Sequence, residues 1–343
     1  MAKQTISLAQ LRDLFEETYR SEYKSELTID RICRTINSFI SWIQKSLNQS
    51  PTLASLIHDS ARAWILALQK RTVWEDYEHI NIDRPLAEGT VGTYIQGLKA
   101  FASWLAKEGY TKENLLTSVK IPQAPDREVE ILSQAEIARI MHSFNQHTET
   151  GARDLAIFSL LLDTGMRAGE LCGLRMQNLH LDQGYMIVFG KRKKERPVKV
   201  GSRSVKTLRF YLAHWRKPAR ANIDNVFLTV GNFRRNSGLD LWGGAGRPLT
   251  VDALQRILTR TGEKVNVPRL HPHLLRHTFA CLFLMEHHDP FALKNLLGHI
   301  SLDMTYRYVR AVERLMIVQG GTTSVLDSIE LPAPSNRKRK EEA

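Results

Sequence analysis

The chain has 343 residues, 43% of them hydrophobic, with 48 Lys and Arg against 36 Asp and Glu, a formal charge of +12. That length exceeds one ordinary core and favours two domains, and the apolar content excludes a chain that stays unfolded. The cationic excess points to a polyanion, nucleic acid before a membrane surface, while three scattered cysteines, Cys33, Cys172 and Cys281, exclude a disulfide scaffold and read as reduced core thiols.

The N-terminal Met-Ala-Lys-Gln-Thr has no apolar signal core, and no apolar run reaches membrane-spanning length. A soluble, cytoplasmic protein without a membrane partner is expected. Amphipathic periodicity predicts helices over Leu8–Tyr19, Thr28–Ile43, Thr52–Leu68 and Thr90–Leu105, with Thr28 and Thr90 as N-caps. The second and fourth each carry a Phe-x-x-Trp at matched spacing, Phe39/Trp42 and Phe101/Trp104. They read as two helices of one bundle, with Arg71 to Gly89 as a long polar connection. Residues 1–116 form this helical domain. Residues 117–130 lose periodicity and carry Pro122 and Pro125, the mark of a linker.

Ser133-Gln134-Ala135-Glu136 has the capping-box spacing that starts a new helix. A second domain, 131–320, follows. It has helices over Gly151–Leu162 and Ala168–Leu174, strands over Tyr185–Phe189 and Pro197–Val200 around a charged hairpin turn, and a third strand over Val226–Leu228. Helices resume at Val251–Lys264, His273–His287 and Pro290–Leu297, the last capped by Asp289 with Pro290 at its first position. The class is mainly α: an N-terminal helical bundle, then a mixed α/β domain with a small antiparallel sheet. Residues 321–343 form a C-terminal segment ending in a basic, apolar-free tail.

Six polar residues of the second half stand in stretches that packing alone does not demand: Arg167, Lys191, His273, Arg276, His299 and Tyr308. In Thr164-Gly165-Met166-Arg167-Ala168-Gly169-Glu170-Leu171, Gly165 permits a sharp turn after a buried helix. That turn exposes Arg167 at the next helix start, where amides and a guanidinium make an anion site and Glu170 can brace the arginine. The hairpin turn holds Lys191, Arg192, Lys193, Lys194 and Arg196, suited to phosphate contact, and an ammonium there could protonate a departing alkoxide. In His271-Pro272-His273-Leu274-Leu275-Arg276-His277, residues 273, 276 and 277 share a helix face. His277 also fits a hydrogen-bonded core histidine. Zinc is set aside, since Arg276 would repel the ion and no cysteine or carboxylate completes the set. Leu296-Leu297-Gly298-His299 ends a helix on a glycine cap, and Tyr308 follows nine residues later. A phenol with a pKa of roughly 10 attacks at neutral pH only with cationic neighbours and a proton acceptor, and the other stretches supply both kinds of group.

These stretches resemble the boxes of the tyrosine recombinase (phage integrase) family, most closely its two-domain Xer-type and transposon-encoded members. The first box, Thr-Gly-Leu-Arg-x-x-Glu-Leu, is present with Met166 for leucine, and Gly190-Lys191 matches the hairpin lysine. His273-Leu274-Leu275-Arg276-His277 and Leu296-Leu297-Gly298-His299 match the next boxes, and the family spacing selects Tyr308 over Tyr306. The N-terminal bundle is similar to the family's core-binding (SAM-like) domain, in Thr90-Val91-x-x-Tyr94 through Leu98, Lys99, Phe101 and Trp104-Leu105. Ile300 to Thr305 is a loose version of the usual stretch, and Arg310 stands where histidine is common. Lys193 is the second choice for the hairpin lysine.

The resemblance implies a recombinase that cuts and rejoins double-stranded DNA through a 3′-phosphotyrosine, without metal or other cofactor. Arg167 and Arg276 would clamp the phosphate with help from His299, Tyr308 would attack, His273 would take its proton, and Lys191 would protonate the leaving 5′ oxygen. Lys99, Arg192, Lys193, Lys194 and Arg196 are expected to contact DNA. By the same resemblance four protomers hold two duplexes, a segment near Ile317–Leu331 docks on a neighbour, and the two domains clamp DNA from opposite faces. A mobile-element, nucleoid-associated setting and an accessory directionality factor fit this picture. The alternatives are DNA relaxation like that of type IB topoisomerases and a DNA-binding accessory factor that has lost catalysis.

Overall fold

The computed structural model describes residues 6–71, 85–121, 128–190, 194–230 and 245–318. The chain divides into two compact units, Met1–Arg127 and Glu128–Ala343. The division falls inside the proline-bearing stretch that the sequence marks as a linker.

The first unit packs α1 (Leu8–Ser21), α2 (Glu26–Trp42), α3 (His58–Lys70) and α4 (Glu88–Lys107) around one core. Phe15 meets Phe101 and Trp104 edge-on at 5.7 and 5.5 Å, and Phe39 meets Trp64 at 5.3 Å. The two Phe-x-x-Trp pairs do face one core, one pair on α2 and one on α4. Gly97 lets these helices close: a Cβ there would lie 2.6 Å from Thr35 Oγ1. Three helix starts differ from the sequence reading. The hydroxyl of Ser25, not Thr28, caps α2. The expected Thr52–Leu68 helix breaks into a 3₁₀ turn, Leu53–Ser55, and α3. At the break, Ser60 Oγ accepts from Ile57 N and donates to Ser55 O, replacing the helical ladder. The α4 helix begins two residues before Thr90.

The second unit opens with α5 (Gln134–His142), where Ser133 and Glu136 form the expected capping box. The core is built on α6 (Glu149–Thr164), buried along most of its length. After α7 (Ala168–Cys172) comes an antiparallel sheet in the order β1 (Leu179–His180), β2 (Tyr185–Phe189), β3 (Glu195–Lys199), with Met186 opposite both Leu179 and Val198. The third strand is therefore β1. Val226–Leu228 instead bends between two isolated bridges, its Val226 N donating to Leu174 O and Leu228 bridging Pro248. Helix α8 (Ser202–His214) packs on α6 through Ser204, Leu208 and Tyr211, a face too narrow to stand out in a basic stretch without a side-chain cap. The remaining helices are α9 (Val251–Lys264), α10 (Pro272–His287), α11 (Pro290–Leu297) and α12 (Asp303–Val318). All three cysteines are free and buried, and no helix among the described residues is long and apolar enough to cross a membrane.

Candidate active site

The site lies within the second unit and begins with two helix ends. Gly165 closes α6 at φ +60°, and Gly298 closes α11 at φ +63°, backbone that glycine adopts freely. Both ends leave carbonyls without helical partners, and two arginines take them. Arg276, on α10 and 4% exposed, donates to Gly165 O at 2.6 Å and to Leu297 O at 2.9 Å. Arg167, N-cap of α7 and more open, donates to Gly298 O at 3.3 Å. The negative ends of two helix dipoles thus face two guanidiniums that would otherwise repel each other. Burial first, then the charge of Arg167, pulls Arg276 down to about 10, which leaves it cationic at neutral pH.

Glu170 braces the pair. Its carboxylate accepts from Arg167 N at 2.8 Å and Arg167 Nη1 at 3.1 Å, as the sequence led us to expect. It also accepts a fork from Arg196, at 2.8 and 2.9 Å, while Arg196 Nε donates to Leu296 O at 3.0 Å. Burial raises the Glu170 pKa, but the hydrogen bonds and charges of the two arginines outweigh it and hold it below the ordinary value. Arg196 was expected to touch DNA. In the structure its guanidinium is turned inward, tying β3 to α7 and the end of α11. Lys99 departs in the same way, donating to Thr117 O and Val119 O and so fastening the chain that leaves α4.

His299 accepts from Arg276 Nη2 at its Nε2, 3.0 Å away, so its Nδ1 carries the proton toward Thr305 Oγ1 at 2.8 Å. Burial, then the surrounding arginines, pushes it down to about 4, and it is neutral at pH 7. Tyr308 on α12 is 3% exposed, with its ring stacked on that of His299 at 6.2 Å and 9°. Burial raises the phenol pKa against the pull of Arg307 and Arg276. Tyr306, two residues earlier, points outward.

Arg167, Glu170, Arg276, His299 and Tyr308 therefore converge. His273 stands exposed beside them, its pKa lowered by partial burial of the ring and by His271, Arg276, Arg167 and Arg307. The imidazole in contact with the phenol is a different one, His277, whose Nδ1 lies 2.9 Å from Tyr308 Oη. Sequence reasoning left His277 as a core histidine, although its place one residue after Arg276 was the available signal. Thr305 had no signal beyond a hydroxyl in a loose stretch. Lys191, Arg192 and Lys193 lie outside the described residues; Lys194 is exposed, its carbonyl accepting from Gly190 N at 2.8 Å. Among the described residues no three His, Cys, Asp or Glu side chains gather as a metal set.

A buried tyrosine stacked on a histidine that a fixed guanidinium holds, with a second fixed guanidinium anchored on the same turn, is an arrangement for phosphoryl transfer onto a phenol, and comparisons with known proteins agree. Among solved structures, the XerH site-specific recombinase bound to palindromic difH substrate superposes with a TM-score of 0.66 at 20% identity, over 92% of this chain and 84% of that one. A lambda integrase dimer bound to a COC′ core site gives 0.63 at 15% identity, over 90% and 78%. The fold is that of the two-domain tyrosine recombinases. Residues 130–314 match the model of the phage integrase family. Tyrosine recombinase XerC of Thermodesulfovibrio yellowstonii is 33% identical over 226 residues, 64% of this chain and 70% of that protein. Tyrosine recombinase XerC of Bacillus pumilus is 29% identical over 287 residues, 80% and 91%. The chain belongs to the phage integrase family and is a tyrosine-type site-specific recombinase, a DNA-binding enzyme that breaks and rejoins strands. Neither the relaxation enzyme nor the accessory-factor alternative is favoured.

Proposed function

We propose that Tyr308 attacks a DNA phosphate held between Arg167 and Arg276 and leaves the strand as a 3′-phosphotyrosine. The observation that carries this is the Tyr308 ring stacked on His299, which Arg276 holds at 3.0 Å, while the carbonyl anchors of Arg276 at Gly165 and Leu297 adjoin the Gly298 anchor of Arg167. Both guanidiniums are aimed before substrate arrives, so the charge that grows on the non-bridging oxygens meets fixed donors. His299 adds polarity through Arg276, and Glu170 keeps Arg167 in place. The phenolic proton passes to an imidazole of the cluster, and Lys191 on the hairpin is the candidate acid for the departing 5′ oxygen.

A 5′-hydroxyl from a second duplex reverses the step, conserving the bond energy, so integration, excision and resolution are directions of one exchange. The duplex sits along the exposed hairpin at Lys194. In the first unit it meets the groove lined by Arg31, Arg34, Thr90, Thr93 and Tyr94, which takes the part expected of Lys99. Four protomers on two sites, with the segment beyond Ile317 reaching a neighbour and an accessory factor setting direction, complete the reading. The test is covalent trapping on a nicked duplex carrying an inverted repeat around a short spacer, sought in the DNA beside the coding region. Adduct should form with the native chain and be abolished by Tyr308→Phe; adduct from that variant removes Tyr308 as nucleophile.

A further inference from the structure

We infer that His277, outside the six-residue set, is the catalytic group that takes the phenolic proton as Tyr308 attacks phosphorus. The inference rests on the recombinase reading of the site. His277 on α10 and Tyr308 on α12 bring their rings to 5.5 Å between centroids at 52°, with Nδ1 and Oη 2.9 Å apart. Arg276, close enough to draw the phenol pKa down, only donates and so offers no acceptor for the phenolic hydrogen. The phenolic hydrogen is thereby left for His277 Nδ1, in the tautomer that carries its own proton on Nε2. His273, one turn earlier, has its ring 6.4 Å from that of His277 rather than against the phenol.

The groups around His277 keep it ready to accept. Burial, then Arg307 of α12 together with His273, His271 and Arg276, holds it down at about 4, so it is neutral at pH 7 in the empty site. Such an imidazole is a weak base and the buried phenol a weak acid, and in the empty site the proton stays on oxygen. A phosphate entering between the arginines adds a negative charge that offsets those cations and strengthens the base. The phenol becomes acidic as its oxygen bonds to phosphorus. Transfer thus accompanies attack: the Oη–P bond forms, the P–O5′ bond breaks, the phenolic proton moves to Nδ1, and the departing O5′ takes a proton from the general acid proposed at Lys191. When a 5′-hydroxyl attacks the phosphotyrosine, the imidazolium returns its proton to the leaving phenolate.

The experiment uses the full chain and the same nicked duplex. His277→Gln should bind that duplex as the native chain does, yet form adduct about 100-fold more slowly at neutral pH, the usual contribution of one general base. Its rate should climb about tenfold per pH unit, as the phenolate forms without help. A ring-fluorinated, more acidic tyrosine at position 308 should restore much of the loss. His277→Ala supplies a second route, with adduct formation recovered by imidazole in the buffer. A histidine that only packs would lower affinity or thermal stability and give neither the pH slope nor these rescues. Adduct formation by His277→Gln within threefold of the native rate, or a loss deaf to pH, to the fluorinated tyrosine and to imidazole, overturns the inference. In that event a silent Tyr308→Phe leaves the recombinase reading standing, whereas adduct from Tyr308→Phe strikes that reading itself.

Discussion

Replacing Arg196 with alanine separates two views of the hairpin cations. In the structure the Arg196 guanidinium forks onto Glu170, with side chains 14% and 3% exposed, and a third nitrogen bonds Leu296 O. Removing it strips Glu170 of two donors and leaves the amide and Nη1 of Arg167, at 2.8 and 3.1 Å. Breaking a buried ion pair costs about 3–5 kcal/mol, and because Arg167 still accompanies the carboxylate, the expected loss is about 3 kcal/mol. With a urea slope of about 2 kcal/mol per molar, the unfolding midpoint should fall by about 1.5 M. Hydrogen exchange over β3 and α11 restricts the readout to the catalytic unit. The salt dependence of DNA binding should stay as it is, whereas loss of a phosphate contact would lower its slope by about one. An unchanged midpoint together with a reduced salt slope would refute the inward, bracing role of Arg196.

Gly165→Ala forces a side chain onto φ +60° and sets its Cβ 2.3 Å from Phe279 and 2.9 Å from Leu297. It should cost about 2–4 kcal/mol in urea unfolding and slow adduct formation, because Arg276 hangs on the Gly165 carbonyl. Acid should unfold the catalytic unit through its neutral histidines. His299, ordinarily near 6.5, sits at about 4, so the unfolded chain takes the proton first. Stability is then complete above about pH 6.5 and lost as pH falls toward 4, by about 3 kcal/mol for this one group, with His277 adding in the same window. Urea midpoints at pH 7, 5.5 and 4.5 should show that slope, and His299→Asn should flatten it.

What could be read in the chain was whatever obeys local rules. The capping box at Ser133, the glycine ends at Gly165 and Gly298, and the Asp289 cap each follow from a few neighbouring residues, and all stand where expected. The polar boxes identified Arg167, Glu170, Arg276, His299 and Tyr308, because such side chains have little reason to sit beside buried helices unless they meet. Local rules fail where partners are distant. The Arg196 guanidinium lies in a run of cations that looks like solvated surface, and only the return of α7 and α11 to β3 turns it inward. Lys99 looks equally free until the chain after α4 folds back over it. The tie between His277 and Tyr308 spans 31 positions and depends on how α12 lies on α10, which no periodicity encodes.

Three of the acceptors that hold the two arginines of the site are peptide oxygens, at Gly165, Leu297 and Gly298. A peptide oxygen survives any change of side chain, so a mutational scan should find tolerance at the outer surface of these turns and intolerance at the two glycines that shape them. Evolution can then rewrite the surfaces that choose a DNA sequence while the cutting chemistry stays in register, since the two depend on different parts of the polymer.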